Sequence, residues 1–161
     1  MENTNGKKPP LLEVRNLHTA FKTDKGEVRA VNGVSYVLEE GHSLGIVGES
    51  GSGKSVSAYS IMQILDANGH ITEGQILFKG EDITHYTPKQ MQEFRGKHCA
   101  MIFQDPITSL NPVYTVGNQI EEAIMIHSHK SKAEAREAAK MMLELVGIND
   151  AERRLGQYPH E

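Results

Sequence analysis

The stretch that decides the fold is Gly48-Glu49-Ser50-Gly51-Ser52-Gly53-Lys54-Ser55. It fits the pattern G-x-x-x-x-G-K-[ST], a glycine-rich loop whose backbone wraps around phosphate groups. The apolar residues 43–47 before it predict a buried strand, and residues 56–65 after it predict a buried helix. Strand, glycine loop and helix are the context that this motif requires. The sequence therefore predicts a nucleotide site at this loop.

Each residue type in the loop has a chemical reason to be there. Glycines at 48, 51 and 53 let successive N–H groups turn inward and form a nest for an anion. The helix that begins near Gly53 adds the positive end of its dipole. Lys54 is placed to reach the β- and γ-phosphates, and the Ser55 hydroxyl is placed to ligate Mg²⁺. The alternative is a glycine-rich turn followed by an ordinary surface lysine.

Length, charge and cysteine content narrow the class of protein. A chain of 161 residues is long enough for one domain with a real core. It contains no apolar run of about 18 residues, the length that a membrane-spanning helix needs. The first ten residues lack the apolar stretch of a signal peptide, and we expect a flexible tail there. The net charge of −4 argues mildly against nucleic acid as the main partner. The single cysteine excludes an internal disulfide and suits a reducing compartment.

The segments around the loop predict a small antiparallel sheet beside an α/β core. Residues 11–21 and 28–38 roughly alternate apolar and polar side chains on either side of a polar turn, and the second segment is expected to form either two short strands or one strand that bends at Asn32-Gly33. Residues 74–80 and 98–103 predict two further strands, the latter buried and ending at Gln104.

Helices dominate the remainder of the predicted structure. A capping box with proline at the first helical position starts a short helix at Thr87-Pro88, and an amphipathic helix is expected from about 116 to 127. Another capping box, Ser131 to Glu134, opens a helix that Gly147 ends. Its apolar positions follow helical spacing, at Ala135, Ala138, Ala139, Met142, Leu145 and Val146.

A resemblance to one family begins at residues 101–112. The run Met101-Ile102-Phe103-Gln104-Asp105-Pro106-Ile107-Thr108-Ser109-Leu110-Asn111-Pro112 resembles the Q-loop of ABC transporter ATPases, in the form of the oligopeptide, dipeptide and nickel importer branch. Residues 48–55 and 76–83 are similar to the same branch. The resemblance runs from about Leu11 to Glu161.

The resemblance implies an α/β fold with a RecA-like P-loop NTPase core, an N-terminal antiparallel β-subdomain and the start of an α-helical subdomain. Its expected divisions are a tail at 1–10 and a truncated ABC nucleotide-binding domain at 11–161. Within that domain the core and β-subdomain would occupy 11–104, and the helical subdomain that touches the permease would occupy 105–161.

The resemblance also assigns roles to single residues, with ATP and Mg²⁺ as the ligands. Gln104 would contact Mg²⁺ and the attacking water and would couple the nucleotide to the membrane subunits; the alternative is a polar residue at a strand end. Phe21 falls where the family stacks an aromatic ring on adenine; the alternative is a core phenylalanine. The predicted ATP-binding residues are Phe21, Gly48, Glu49, Ser50, Gly51, Ser52, Gly53, Lys54, Ser55 and Val56.

Several family features are lacking in this sequence. It contains no "LSGG" signature, no apolar strand that ends in Asp-Glu, and no match to the switch histidine. Tyr158-Pro159-His160-Glu161 resembles the residues just before "LSGG", so we expect the front part of such a domain, which hydrolyses little or no ATP alone. A core sheet without its later strands would expose apolar faces, and we expect instability or aggregation.

The resemblance implies an energy-coupling subunit at the cytoplasmic face of a membrane. Its partners would be transmembrane permease subunits, a second ATPase subunit and, indirectly, a substrate-binding protein outside the membrane, with no nucleic acid. Two alternatives stay open: a truncated, non-hydrolysing nucleotide-binding fragment, and a soluble ABC ATPase outside transport. For the histidines, a solvated helix end at His127 and His129 is favoured over a metal site. For Cys99, an inert core thiol is favoured over a reactive one.

Overall fold

A computed structural model describes residues 8–104 and 109–161. The described chain separates into two compact units, which divide between Met91 and Gln92. Most of the predicted tail and residues 105–108 of the Q-loop stretch lie outside the described residues. Among the helices of the described part, none is both long and apolar enough to cross a membrane.

The first unit is built on an antiparallel sheet, as the alternating segments predict. Its strands are β1 (Leu12–Thr23), β2 (Gly26–Leu38), β3 (Gly69–Phe78) and β4 (Glu81–Asp82), in the order β2-β1-β3-β4. β1 is hydrogen-bonded to β2 on one side and to β3 on the other, always antiparallel. The expected bend in β2 is present, since Gly33 has a φ of 74° and the β1–β2 register shifts beside it.

One helix of the first unit follows the glycine loop. α1 (Lys54–Met62) begins directly after Gly53, two residues before the apolar run 56–65, and its C-cap Gln63 adopts a left-handed conformation with φ 47°. The helix is only partly buried: Ser57, Ser60 and Met62 are its fully buried residues. The prediction of a helix buried nearly all round is therefore wrong. Two of its three buried residues carry hydroxyl groups, which need hydrogen-bond partners.

Two predicted strands do not form in the described chain. Residues 44–47 and 98–103 belong to no strand, and Val47 and Ile102 are 92% and 95% exposed. An apolar run becomes a strand only where a neighbouring backbone pairs with its N–H and C=O groups. The described four-stranded sheet supplies no such neighbour for either run. Their hydrophobicity indicates a tendency toward burial but does not supply the pairing partner.

The second unit is helical, as predicted. Its helices are α3 (Val116–Ser128), α4 (Lys132–Leu145) and α5 (Ala151–Leu155), while α2 (Pro88–Lys97) spans the division between the units. Both capping boxes form: Thr87 bonds with Gln90, and Ser131 bonds with Glu134. The buried core of this unit consists of Ile124, Ala135, Ala139, Leu143, Ala151 and Leu155.

The buried face of α4 differs from the predicted one. Ala135 and Ala139 are buried, but Leu145 and Val146 are 87% and 70% exposed, and Met142 is exposed as well. Leu143 completes the buried row at i+4 spacing. Helical spacing admits two overlapping apolar stripes on this helix, and packing against α3 and α5 selects the one through Leu143.

An ion-pair cluster joins the three helices of this unit. Arg136 on α4 contacts Glu121 on α3 at 3.2 Å and Glu152 on α5 at 2.7 Å. The Glu121 side chain is only 3% exposed, whereas that of Glu152 is 56% exposed. Because a buried carboxylate is costly without a partner, the Arg136–Glu121 contact matters more to this unit than the outer one.

Candidate phosphate-binding site

The glycine loop leads directly into the N-terminus of α1. The N-cap residue is Gly53, with φ 87°, and it has no side chain that could accept from the first N–H groups of the helix. Those N–H groups have no acceptor within a helix. The first turn of α1, which the structure describes completely, contains no acidic residue that would compensate the helix dipole. The loop therefore presents unpaired donors and positive potential, the requirements of an anion site.

Close approach of other atoms constrains two of these glycine positions. A Cβ placed on Gly53 would lie 2.4 Å from the carbonyl oxygen of Ala30 on β2. A Cβ placed on Gly48 would lie 2.8 Å from Ser52 Oγ, inside the loop itself. A side chain at Gly53 would force the backbone to move, whereas rotation of the Ser52 hydroxyl would make room for one at Gly48. The tight fold of the loop thus depends mainly on Gly53.

Lys54 folds back over the loop. Its Nζ donates to the carbonyl oxygens of Gly48 at 2.7 Å and Glu49 at 2.6 Å, and a third contact to Ser52 Oγ is 3.4 Å long. An ammonium group has three hydrogens to donate, and a bond of that length is weak. Lys54 therefore holds the two ends of the loop together with two strong bonds and keeps its third donor for a better acceptor, such as a phosphate oxygen.

The remaining loop residues are open to solvent. Glu49, Ser50, Gly51, Ser52 and Ser55 are exposed, and Ser52 N–H donates to Glu49 O at 3.2 Å to close a turn. The Ser55 hydroxyl lies in the first turn of α1 and is accessible, which fits an oxygen ligand of Mg²⁺. Val56 is half-buried in the same turn.

Phe21 and Gln104 lie in different units. Phe21 is partly exposed and lies near the C-terminal end of β1. Its ring lies against Gly69, where an added Cβ would be 2.7 Å from the ring. This placement leaves both adenine stacking and packing open. Gln104 is an exposed residue of the second unit and does not end a strand. Its contact with Mg²⁺ and water remains a prediction.

The structure also shows residues around the loop that sequence reasoning missed. Tyr36 on β2 bonds with Ser57 on α1, and Thr19 on β1 bonds with Ser60 on α1. No local signal marks these pairs, since their members are 21 and 41 residues apart in the chain. Burial raises the pKa of the Tyr36 phenol, and the bond with Ser57 partly offsets that rise.

Three residues have a reactive or metal-binding role as the alternative interpretation: Cys99, His127 and His129. Cys99 is half-buried outside any strand, and burial raises the pKa of its thiol, which lowers its reactivity. His127 lies in the last turn of α3 beside Gly96 of α2, and His129 is the C-cap of α3. Within residues 8–104 and 109–161, no group of three or more His, Cys, Asp and Glu side chains is arranged to hold a metal.

Comparison with known sequences identifies close relatives. The profile of the family described as ABC transporter matches residues 31–161. A probable peptide ABC transporter ATP-binding protein of Sinorhizobium fredii is 51% identical over 159 residues, 98% of this chain and 48% of that protein. The oligopeptide transport ATP-binding protein OppD of Bacillus subtilis is 50% identical over 152 residues, 94% of this chain and 42% of OppD. The chain thus spans about half the length of the curated relatives it matches.

Solved structures share the fold. A dimeric ATP-binding cassette in a post-hydrolysis state with ADP and Pi has a TM-score of 0.77 at 21% identity, over 92% of this chain and 62% of that one. CbiO1 of Clostridium perfringens, part of an ABC transporter complex, has a TM-score of 0.67 at 23% identity, over 95% of this chain and 55% of CbiO1. These likenesses confirm the predicted fold class. With a profile match over residues 31–161 and relatives about half identical along nearly its whole length, this chain belongs to the ABC transporter family, among its ATP-binding proteins.

Proposed function

We propose that this chain binds Mg-ATP at residues 48–56 as the energy-coupling subunit of an ABC importer for peptides or related small solutes. The observation that carries the proposal is the uncapped N-terminus of α1, with Lys54 folded over the loop that leads into it. The names of the relatives support the solute class, since they are peptide, oligopeptide and dipeptide transport proteins.

Each loop residue has a definite task in this proposal. The N–H groups of the loop and of the first turn of α1 donate to oxygens of the β- and γ-phosphates, and Lys54 donates its third hydrogen to a phosphate oxygen. Ser55 would hold Mg²⁺, which would neutralise phosphate charge, and Gln104 would orient the attacking water. Transfer of the phosphoryl group to water depends mainly on such positioning and charge stabilisation.

The partners follow from the same proposal. The chain would lie at the cytoplasmic face of the membrane, contact permease subunits through its helical part, and pair with a second ATPase subunit. A substrate-binding protein outside the membrane would deliver the solute. In this proposal, hydrolysis needs an "LSGG" signature that faces the partner's loop, and residues 1–161 contain none.

The test is the thermal stabilisation that Mg-ATP gives to the chain. A ligand that binds only the folded state raises the melting temperature. We expect a rise for the unaltered chain and none for Lys54→Ala. Lys25→Ala is the control, because Lys25 is an exposed lysine in the β1–β2 turn of the same unit. An equal rise in Lys54→Ala and in the control would refute the site.

A further inference from the structure

α1 is bonded to the antiparallel sheet through pairs of hydroxyl groups. Tyr36 OH on β2 lies 2.9 Å from Ser57 Oγ, and Thr19 Oγ1 on β1 lies 2.8 Å from Ser60 Oγ. Ser57 and Ser60 are three residues apart, so they share one face of the helix. Two different strands therefore bind the same side of the helix that starts at the phosphate loop.

Three of these four hydroxyl groups belong to buried residues, and Tyr36 is half-buried. Ser57 is 3% exposed, and Thr19 and Ser60 are fully buried. A buried hydroxyl that loses its partner costs free energy, whereas an exposed one bonds to water. The two pairs therefore favour one orientation of α1 over others that would leave a hydroxyl unpaired.

The Thr19–Ser60 pair reaches the first turn of α1 through a defined series of bonds. Ser60 Oγ also donates its only hydrogen to the carbonyl oxygen of Val56, at 2.7 Å. In the Thr19–Ser60 bond Thr19 must then be the donor, since Ser60 has no second hydrogen to give. The series runs from β1 to the carbonyl of Val56, a residue of the turn that presents N–H groups to phosphate.

A third contact of the sheet lies at the loop itself. The carbonyl oxygen of Ala30 on β2 occupies the space that a side chain at Gly53 would need. The contacts at positions 53, 57 and 60 follow the side of α1 that faces the sheet. The sheet thus touches the loop end and the body of the helix at once.

We propose that Tyr36 and Thr19 are positioning residues for phosphate binding. They fix the rotation and tilt of α1, and so the direction of its N-terminal N–H groups and of the Ser55 hydroxyl. The apparent affinity for phosphate is the intrinsic affinity multiplied by the fraction of molecules in which α1 has the binding orientation. This inference rests on the proposed nucleotide site and assigns it two residues outside the glycine loop.

The decisive variant is Tyr36→Phe, which removes one hydroxyl and keeps the ring. The control is Tyr86→Phe, because the Tyr86 hydroxyl bonds to Glu81 and not to α1. Calorimetry would give the dissociation constants for Mg-ATP and for inorganic triphosphate, and urea titration would give the free energy of unfolding. We expect Tyr36→Phe to weaken both ligands about two- to tenfold, the equivalent of one hydrogen bond, and the control to bind normally.

Variants of the partner residue separate positioning from packing. Ser57→Ala should weaken both ligands as Tyr36→Phe does, and the double variant should be no weaker than either single one. Ser57→Thr, which keeps the hydroxyl, should restore the affinity. If Tyr36→Phe is fully folded in the assay and binds both ligands as tightly as the unaltered chain, the positioning role alone is overturned. Failure of the unaltered chain to bind either ligand would overturn the proposed function as well.

Discussion

Gly53 is the residue at which loop, helix and sheet meet. It has a φ of 87°, caps α1, and lies against the Ala30 carbonyl. Its role as a flexible position could be predicted from the loop motif. Its contact with β2 could not, because that contact joins segments whose approach depends on the packed unit and not on local sequence.

Alanine at Gly53 should therefore be more harmful than backbone strain alone explains. Gly41 is the matched control, with a φ of 78° and no atom near the site of an added Cβ. Gly41→Ala should cost about 1–2 kcal/mol of stability, the strain of a left-handed non-glycine residue. Gly53→Ala should cost more and should also abolish Mg-ATP stabilisation, as urea titration and thermal shifts would show. Equal losses of stability in the two variants would mean that the Ala30 carbonyl moves aside at no cost in free energy.

Helix caps were the elements most accurately predictable from sequence. The Ser131–Glu134 and Thr87–Gln90 boxes form as predicted because each is complete within four residues. The predicted strands at 44–47 and 98–103 do not form, because a strand needs a neighbouring strand that is distant in sequence. The α4 face was predicted in part, since Leu143 and not Met142 packs inward. Local bonds can be inferred from sequence; partners across the fold cannot.

The capping box of α4 should make the stability of the second unit depend on pH. Hydrogen bonds from the Ser131 hydroxyl and N–H lower the pKa of Glu134 from its ordinary value of 4.5. A carboxylate with a lowered pKa stabilises the fold above its ordinary pKa and loses that effect as pH falls through the lowered value. The stability gap between the unaltered chain and Glu134→Gln should therefore stay constant between about pH 7 and about pH 5 and shrink as pH falls below 4.5.

Circular dichroism melts would measure that gap across the pH range. Glu137→Gln is the matched control, an exposed glutamate one turn along the same helix. Its difference from the unaltered chain should change less with pH. A gap for Glu134→Gln that stays constant into acid would contradict the assigned role of the carboxylate in the cap.

At the scale of the whole chain, exposed apolar side chains should dominate its behaviour in solution. Val47, Ile102 and Leu145 are each more than four-fifths exposed. Large exposed apolar side chains favour self-association. We expect concentration-dependent association in light scattering and binding of a hydrophobic dye, both reduced by Leu145→Lys. Leu143→Lys, two residues away but buried, should unfold the second unit instead. A chain that stays monomeric at all concentrations and does not bind the dye would contradict this expectation.

At the proposed nucleotide site, the bonds of Lys54 to its own loop should change what happens when a nucleotide leaves. An empty anion site whose lysine points into water has to be reorganised before the next ligand binds. Here the ammonium stays bonded to the Gly48 and Glu49 carbonyls, so the ends of the loop remain joined. In the proposed site, arrival and departure of a phosphate would then change the partner of only one Lys54 hydrogen, and each round would start from a loop that already has its shape.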